Sequence, residues 1–141
     1  MCFSSIVEER VGYVKELIDS KRLHLTIDME PTQVFMSKSS AHRLIDNLLS
    51  NAIKYSDVED SIFITLKENV LEVRDTGIGI DKKVQEDIFK RYNRANEERG
   101  GFGLGLNIVL SICKQYKIKI ALKSKKGEGS SFILTFPKIK K

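Results

Sequence analysis

Asn47, Asn51 and Lys54 stand four and three residues apart in "NLLSNAIKYS", the spacing that sets side chains in one narrow row along a helix. Two amide oxygens and an ammonium in line offer ligands to a hard cation and a counter-charge to phosphate. The same row would also serve as an ordinary solvated face, although asparagine is a poor helix former for that purpose. A second group is "VRDTGIGI", Val73 to Ile80. If a strand leads into it, alternation puts Leu71, Val73 and Asp75 on one side, so Asp75 is expected to point inward, where a carboxylate needs a donor. A ligand amine would supply one, with Gly77 and Gly79 letting a flat group approach the backbone. The competing reading is an aspartate that opens a tight turn before glycine. The third group is "RGGFGLGLNIV", which crowds Gly100, Gly101, Gly103 and Gly105 ahead of an apolar, helix-like stretch. Its spacing excludes both the G-x-G-x-x-G dinucleotide turn and a phosphate loop ending in Gly-Lys-Ser/Thr. What remains is a glycine loop opening a helix, whose bare N–H groups favour an anion, or else a hinge or a close packing contact. Between the second and third groups, "FKRYNRANEERGG" carries Phe89 and Tyr92 as anchors and reads either as a mobile cover over a ligand or as a surface loop.

These groups need elements to hold them. Val7, Val11, Val14, Leu17 and Ile18 predict an amphipathic first helix ending near "DSK". Two short strands, "LHLTID" and "QVFM", are expected around Pro31, followed by a long helix from about Ser39 to Tyr55. Ala41, Leu44, Ile45, Leu48, Leu49 and Ala52 form its apolar stripe, which must face a core. "SIFITL" and "VLEVRD" read as a hairpin across "KEN", with Ile62, Ile64 and Leu66 on one face. A short helix is expected from about Lys82 to Phe89, and the glycine helix runs to about Tyr116. "IKIALKS" and "SFILTF" close the chain as a second hairpin around "KKGEG". Mixed order without regular βαβ alternation predicts an α+β, two-layer α/β sandwich. Its sheet is mixed, mostly antiparallel and of about five strands, with about three helices on one face.

The 141 residues suit one domain, and 41% hydrophobic content suffices for a core. The net charge of +5 is spread along the chain, which suits an anionic ligand but is weak support for nucleic acid. Cys2 and Cys113 lack metal or redox spacing, and Cys113 falls at an apolar helical position that predicts a reduced core thiol. No apolar run approaches a membrane span and no signal peptide opens the chain, so the expected location is cytoplasmic, within a parent protein that could be anchored in the inner membrane.

In this order the motifs resemble the ATP-binding catalytic domain of bacterial sensor histidine kinases, within the superfamily shared with gyrase-type topoisomerases, mismatch-repair ATPases and a heat-shock chaperone. "NLLSNAIKYS" is similar to the asparagine box, "DTGIGI" to the first glycine box, "FKRYNR" to the phenylalanine box and "GFGLGLNIV" to the second glycine box. "GEGSSF", Gly127 to Phe132, resembles the last glycine motif. The resemblance spans nearly the whole chain, 1–141, and implies the Bergerat ATP-binding fold. It implies ATP and Mg²⁺, with Asn51 coordinating the metal beside Asn47, Lys54 on phosphate and Tyr55 lining the pocket. Asp75 would accept the adenine amine over a floor of Gly77, Gly79 and Ile80. Gly101, Gly103, Leu104, Gly105 and Leu106 would surround the triphosphate. Residues from about 90 to 101 would form the ATP lid, contributing Tyr92 and Arg94, with Arg94 reaching toward the γ-phosphate. Ser130 would close the pocket floor.

The lid is short for the family, and its phosphoacceptor motif, a histidine with an acidic neighbour and an Arg-Thr-Pro run, is absent from this chain. His24 falls in an expected strand and His42 near the start of the long helix, so neither matches. The implied activity is therefore transfer of the γ-phosphoryl group to a histidine on a separate dimerisation domain of the same parent, with a response regulator as indirect partner and no nucleic acid. The fragment is expected to be monomeric and the parent a homodimer. The alternatives are an ATPase, or a stand-alone anti-sigma-type serine kinase, of the same superfamily. Both would be expected to carry an acid where this chain has Asn47, and an amide cannot act as a general base.

Overall fold

The long helix forms as its periodicity requires. In the computed structural model, which describes residues 1–83, 85–86 and 103–138, α3 spans Lys38–Lys54. Ser37 caps its start, accepting the Ser40 N–H at 3.1 Å, a bond that satisfies one of the donors a helix start leaves open. Ala41, Leu44, Ile45, Leu48, Leu49 and Ala52 are all buried, and Ile53 joins them.

The first helix is two. α1 runs over Phe3–Tyr13 and α2 over Lys15–Ser20, parted at Val14 (φ −106°, ψ 8°). Gly12 and β-branched Val14 are weak helix formers, and the break turns the chain so that Ile18 is buried while Leu17 stays 57% exposed. Leu17 is thus not part of the expected apolar face. α1 is fixed to α3 by a two-pronged pair, Arg10 Nε and Nη2 donating to the Asp46 carboxylate at 2.8 and 2.9 Å.

The strands are β1 (His24–Met29), β2 (Ser61–Lys67) and β3 (Val70–Asp75), then α4 (Gly103–Gln115), β4 (Lys119–Lys125) and β5 (Gly129–Thr135). Residues 82–83 and 85–86 are helical, where the short helix was expected. "QVFM" is not a strand: Gln33 forms a single isolated bridge to Cys2. Its would-be partner enters α1 at Phe3, so pairing stops after the Phe3 N–H to Thr32 and Val34 N–H to Met1 bonds.

Among the described residues the sheet has five strands in the order β1-β2-β3-β5-β4. β1 pairs β2 in parallel, and every other pair is antiparallel. The β2–β3 hairpin turns on Glu68 and Asn69, both at positive φ, the two-residue turn whose twist matches paired strands. Register aligns Ile62, Asp75, Ser130 and Ser124 across one end of the sheet, and Ile64, Val73, Phe132 and Leu122 in the next row of the same face. This face packs against the helices. The opposite face carries Arg74 stacked over Phe63 at 4.1 Å and the Ser131 hydroxyl donating to Glu72. The result is the expected two-layer α+β sandwich. Among the described residues, no helix is long and apolar enough to cross a membrane.

Candidate functional site

The row that begins with Ile62 becomes polar at Asp75, Ser130 and Ser124, at the end of the sheet beside the C-terminus of α3. Strand alternation delivers Asp75 to the inner face, where it is only 6% exposed. Its Oδ1 accepts the Gly77 N–H at 2.9 Å. Burial raises the carboxyl pKa above its ordinary 3.8, while backbone N–H groups of Gly77 and Ser130 pull the other way. Both readings of this residue hold together: it opens a turn and it is buried. Its described protein donors are backbone amides, which leaves carboxylate acceptor capacity for a ligand amine.

The glycines that follow are required by contact. A Cβ on Gly77 would lie 2.1 Å from the Tyr55 carbonyl oxygen, and one on Gly129 would lie 2.1 Å from that of Asp75. Gly79 sits at φ +75°, and a Cβ there would meet the Lys125 carbonyl at 2.1 Å. The loop is therefore clamped between the end of α3 and the β4–β5 hairpin. Its backbone bonds run from Ile78 N–H to Tyr55 O (3.0 Å) and from Gly127 N–H to Ile78 O (2.6 Å).

Two polar side chains brace this clamp that sequence reading did not single out. The Ser124 hydroxyl accepts the Ile80 N–H at 2.6 Å, donates to the Gly129 carbonyl at 3.0 Å and meets Ser130 Oγ at 2.7 Å. Gln85 Nε2 donates to the carbonyls of Ile80 (2.6 Å) and Ser124 (3.1 Å). The bonds that join the loop to the hairpin, Ser124 to Ile80 and Gln85 to Ser124, span 44 and 39 positions, so no local pattern marks them. Lys21 is a third: its ammonium donates to the Ile53 and Ser56 carbonyls at 2.8 Å each, and Ser56 Oγ donates to Ala52 O at 2.6 Å. Together they satisfy carbonyls that the end of α3 would otherwise leave open.

That helix end carries the amide–ammonium row. Asn47 and Asn51 are half-buried. Asn47 Nδ2 donates to the Arg43 carbonyl at 2.7 Å, which leaves its oxygen as the end it can present. Lys54 is exposed, with Nζ 5.3 Å from the centre of the Tyr55 ring. Ile80, Leu106 and Ser130 are buried. Gly103, Leu104, Gly105 and Leu106 form the first turn of α4, whose N–H groups lack intrahelical partners. Tyr92, Arg94, Gly101 and the expected lid at 90–101 lie outside the described residues. Cys113 is buried, its thiol pushed up to about 12 by that burial, as a core thiol should be.

A buried carboxylate at a strand end and a glycine-clamped loop thus stand against the end of the helix that carries the amide row. Residues 36–140 match the model of the family described as histidine kinase-, DNA gyrase B- and HSP90-like ATPase. The chain belongs to that family, and membership implies ATP binding. Curated relatives include the sensor histidine kinase RppB of Synechocystis, 33% identical over 96% of this chain and 32% of that protein. Another is the sensor-like histidine kinase SenX3 of Mycolicibacterium smegmatis, 37% identical over 94% of this chain and 37% of that one. The chain thus spans about a third of the length of these relatives. Among solved structures, the catalytic domain of histidine kinase ThkA superposes with a TM-score of 0.82 at 22% identity, covering 97% of this chain and 92% of that one. A mycobacterial sensor histidine kinase, MprB, does so at 0.81 and 20%, covering 97% and 95%. At these identities the structures establish the fold alone.

Proposed function

We propose that this chain binds Mg²⁺-ATP and donates the γ-phosphoryl group to a histidine on a separate dimerisation domain of its parent, as the catalytic part of a two-component sensor kinase. The observation that carries the reading is buried Asp75, facing into the site over a floor that only glycine fits. An adenine amine gives that carboxylate a further donor for its remaining acceptor capacity, whereas a guanine carbonyl would set acceptor against acceptor.

The residues present suit the remaining groups. By its resemblance to the family's asparagine box, Asn51 would hold Mg²⁺ through its amide oxygen, with Asn47 beside it, and nucleotide phosphates would supply further oxygen ligands. The metal would neutralise phosphate charge. The first-turn N–H groups of α4 and the Lys54 ammonium would orient the triphosphate, and Gly101, Tyr92 and Arg94 of the lid would close over it. Transfer breaks the bond between the terminal phosphorus and its bridging oxygen, forms a phosphorus–nitrogen bond to imidazole and releases ADP. It depends on positioning and charge stabilisation more than on covalent chemistry by the protein. Asn47 supplies no carboxylate base for water, which weighs against the ATPase and serine-kinase alternatives. On this reading the chain works on the cytoplasmic side, its parent is a homodimer, and a response regulator receives the phosphoryl group afterwards.

The test has two arms. Calorimetry should show ATP binding more tightly than GTP by roughly 1–3 kcal/mol, the cost of an unpaired buried polar group, with Asn51→Ala weakening only the Mg²⁺-dependent part. With labelled ATP the chain alone should stay unlabelled and release little phosphate, and a separate dimeric hairpin bearing an acceptor histidine should become labelled. Equal binding of both nucleotides, strong self-labelling or rapid phosphate release would overturn the reading.

A further inference from the structure

At the opposite end of α3 from Lys54, about 25 Å away by the rise of a 17-residue helix, lies a cavity of about 480 Å³ that the nucleotide reading does not use. Its floor is apolar: Val34, Ile118 and Phe136 are buried, and Met36 and Pro137 complete it. The floor is held in shape. The Tyr116 phenol oxygen accepts the Ser37 N–H at 3.2 Å and lies 3.4 Å from the Ser37 and Ser40 hydroxyls, pinning the end of α4 to the cap of α3.

Two features of the rim say what would cover it. Phe35 stands 87% exposed at the mouth, where its ring extends the apolar floor into one contiguous patch instead of standing alone on the surface. The charged residues lining the cavity are Lys117 and Lys138, both exposed. No lining residue is acidic, and neither lysine has a carboxylate partner among the described residues. A preformed apolar hole of ligand-accommodating size, flanked by an aromatic platform and two unpaired ammoniums, suits an apolar anchor carried by a negatively charged segment.

We propose that this groove is a docking site for an acidic peptide segment of a partner protein. An aromatic or branched aliphatic side chain anchors in the cavity together with an apolar neighbour, a further residue covers Phe35, and flanking Asp or Glu residues pair with Lys117 and Lys138. The site is separate from nucleotide binding and needs no nucleotide to form.

A phage-displayed library of random dodecapeptides, selected on the 141-residue chain and counter-selected on its Phe35→Asp, Lys117→Glu variant, tests this directly. Both changes fall on exposed positions, and thermal melting checks that the variant folds. Survivors should carry an aromatic or branched apolar residue flanked by acids. Their affinity should fall about tenfold or more on Lys117→Glu alone, and amide shifts should concentrate at residues 34–36, 115–118 and 136–138. Survivors without acidic bias, or peptides that bind the folded variant equally well, would overturn it. So would amide shifts confined to other surfaces. A chain that dimerises in solution and becomes monomeric on Phe35→Asp would assign the groove to a second copy and overturn it too.

Discussion

Ser124→Ala removes one oxygen and with it three contacts that hold the loop ending at Ile80 and the last hairpin together. The bond with most consequence is the one accepted from the Ile80 N–H at 2.6 Å, because Ile80 is buried at 5% exposure and no solvent replaces the lost acceptor. Leaving a buried N–H unsatisfied costs about 1–3 kcal/mol, and an ordinary intramolecular hydrogen bond, here the one to the Gly129 carbonyl, contributes about 0.5–1.5. The expected loss is therefore about 2–4 kcal/mol, which for a chain of this size lowers the melting temperature by roughly 3–5 °C per kcal/mol. The same loosening displaces Gly77 and Gly79 from the floor of the site. If the bound placement of the loop loses about 1.4 kcal/mol against its alternatives, ATP affinity falls about tenfold. Ser124→Thr keeps the hydroxyl and suits a strand, so it should recover most of both effects. The assays are thermal melting of the nucleotide-free chain and calorimetric titration with ATP. An alanine variant that melts and binds like the original chain would refute the bracing role. A variant that only melts lower would confine Ser124 to stability and separate it from the site.

Two further outcomes follow from the same corner. Gly77→Ala drives a Cβ to 2.1 Å from the Tyr55 carbonyl oxygen and 2.9 Å from Ser56 Cα, both backbone atoms that cannot rotate aside, so urea unfolding should show a loss of at least about 3 kcal/mol; undiminished stability would disprove the close approach. Because burial raises the Asp75 pKa above 3.8, the folded chain holds that proton more tightly than the unfolded one. Its contribution to stability is full at low pH and falls as pH rises from the ordinary carboxylate range through the raised value. The melting temperature of the original chain relative to Asp75→Asn should accordingly improve as pH drops from about 7 to about 4, and the opposite slope would contradict the assignment.

What was legible in the chain is what local periodicity encodes. The α3 stripe repeats with the helical period, and all six of its expected members are buried. Asp75 follows Leu71 and Val73 at strand alternation and lands beside them. The Val14 break was not legible, because Val11, Val14 and Ile18 keep helical spacing through it. Gly12 and Val14 weaken the helix there, but residues of that kind also stand inside unbroken helices. "QVFM" reads as a strand by composition, yet strand length is set by the partner, and that partner is the two residues before α1. Ser124 looked like an ordinary hydroxyl in a lysine-rich strand. The Ile80 N–H it accepts is 44 positions away, and nothing local to either residue reports the other. Phe35, expected inside a strand, instead stands at the mouth of the groove.

The strand order has a consequence for how the molecule comes into being on the ribosome. β3 and β4 are not paired with each other; β5, made after both, lies between them. Until residues 129–135 emerge, β3 offers an unpaired flank, β4 has no neighbour in the sheet, and Asp75 lacks Ser130 opposite it. A growing chain can form the local β2–β3 hairpin early, but it cannot complete the polar row around Asp75, however long synthesis pauses. The last strand acts as a completion check: the polar row of Asp75, Ser130 and Ser124, where the proposed reading seats the base, exists only in a chain translated through residues 129–135. The interval before that is when an open strand flank is most exposed to wrong pairing with neighbouring chains.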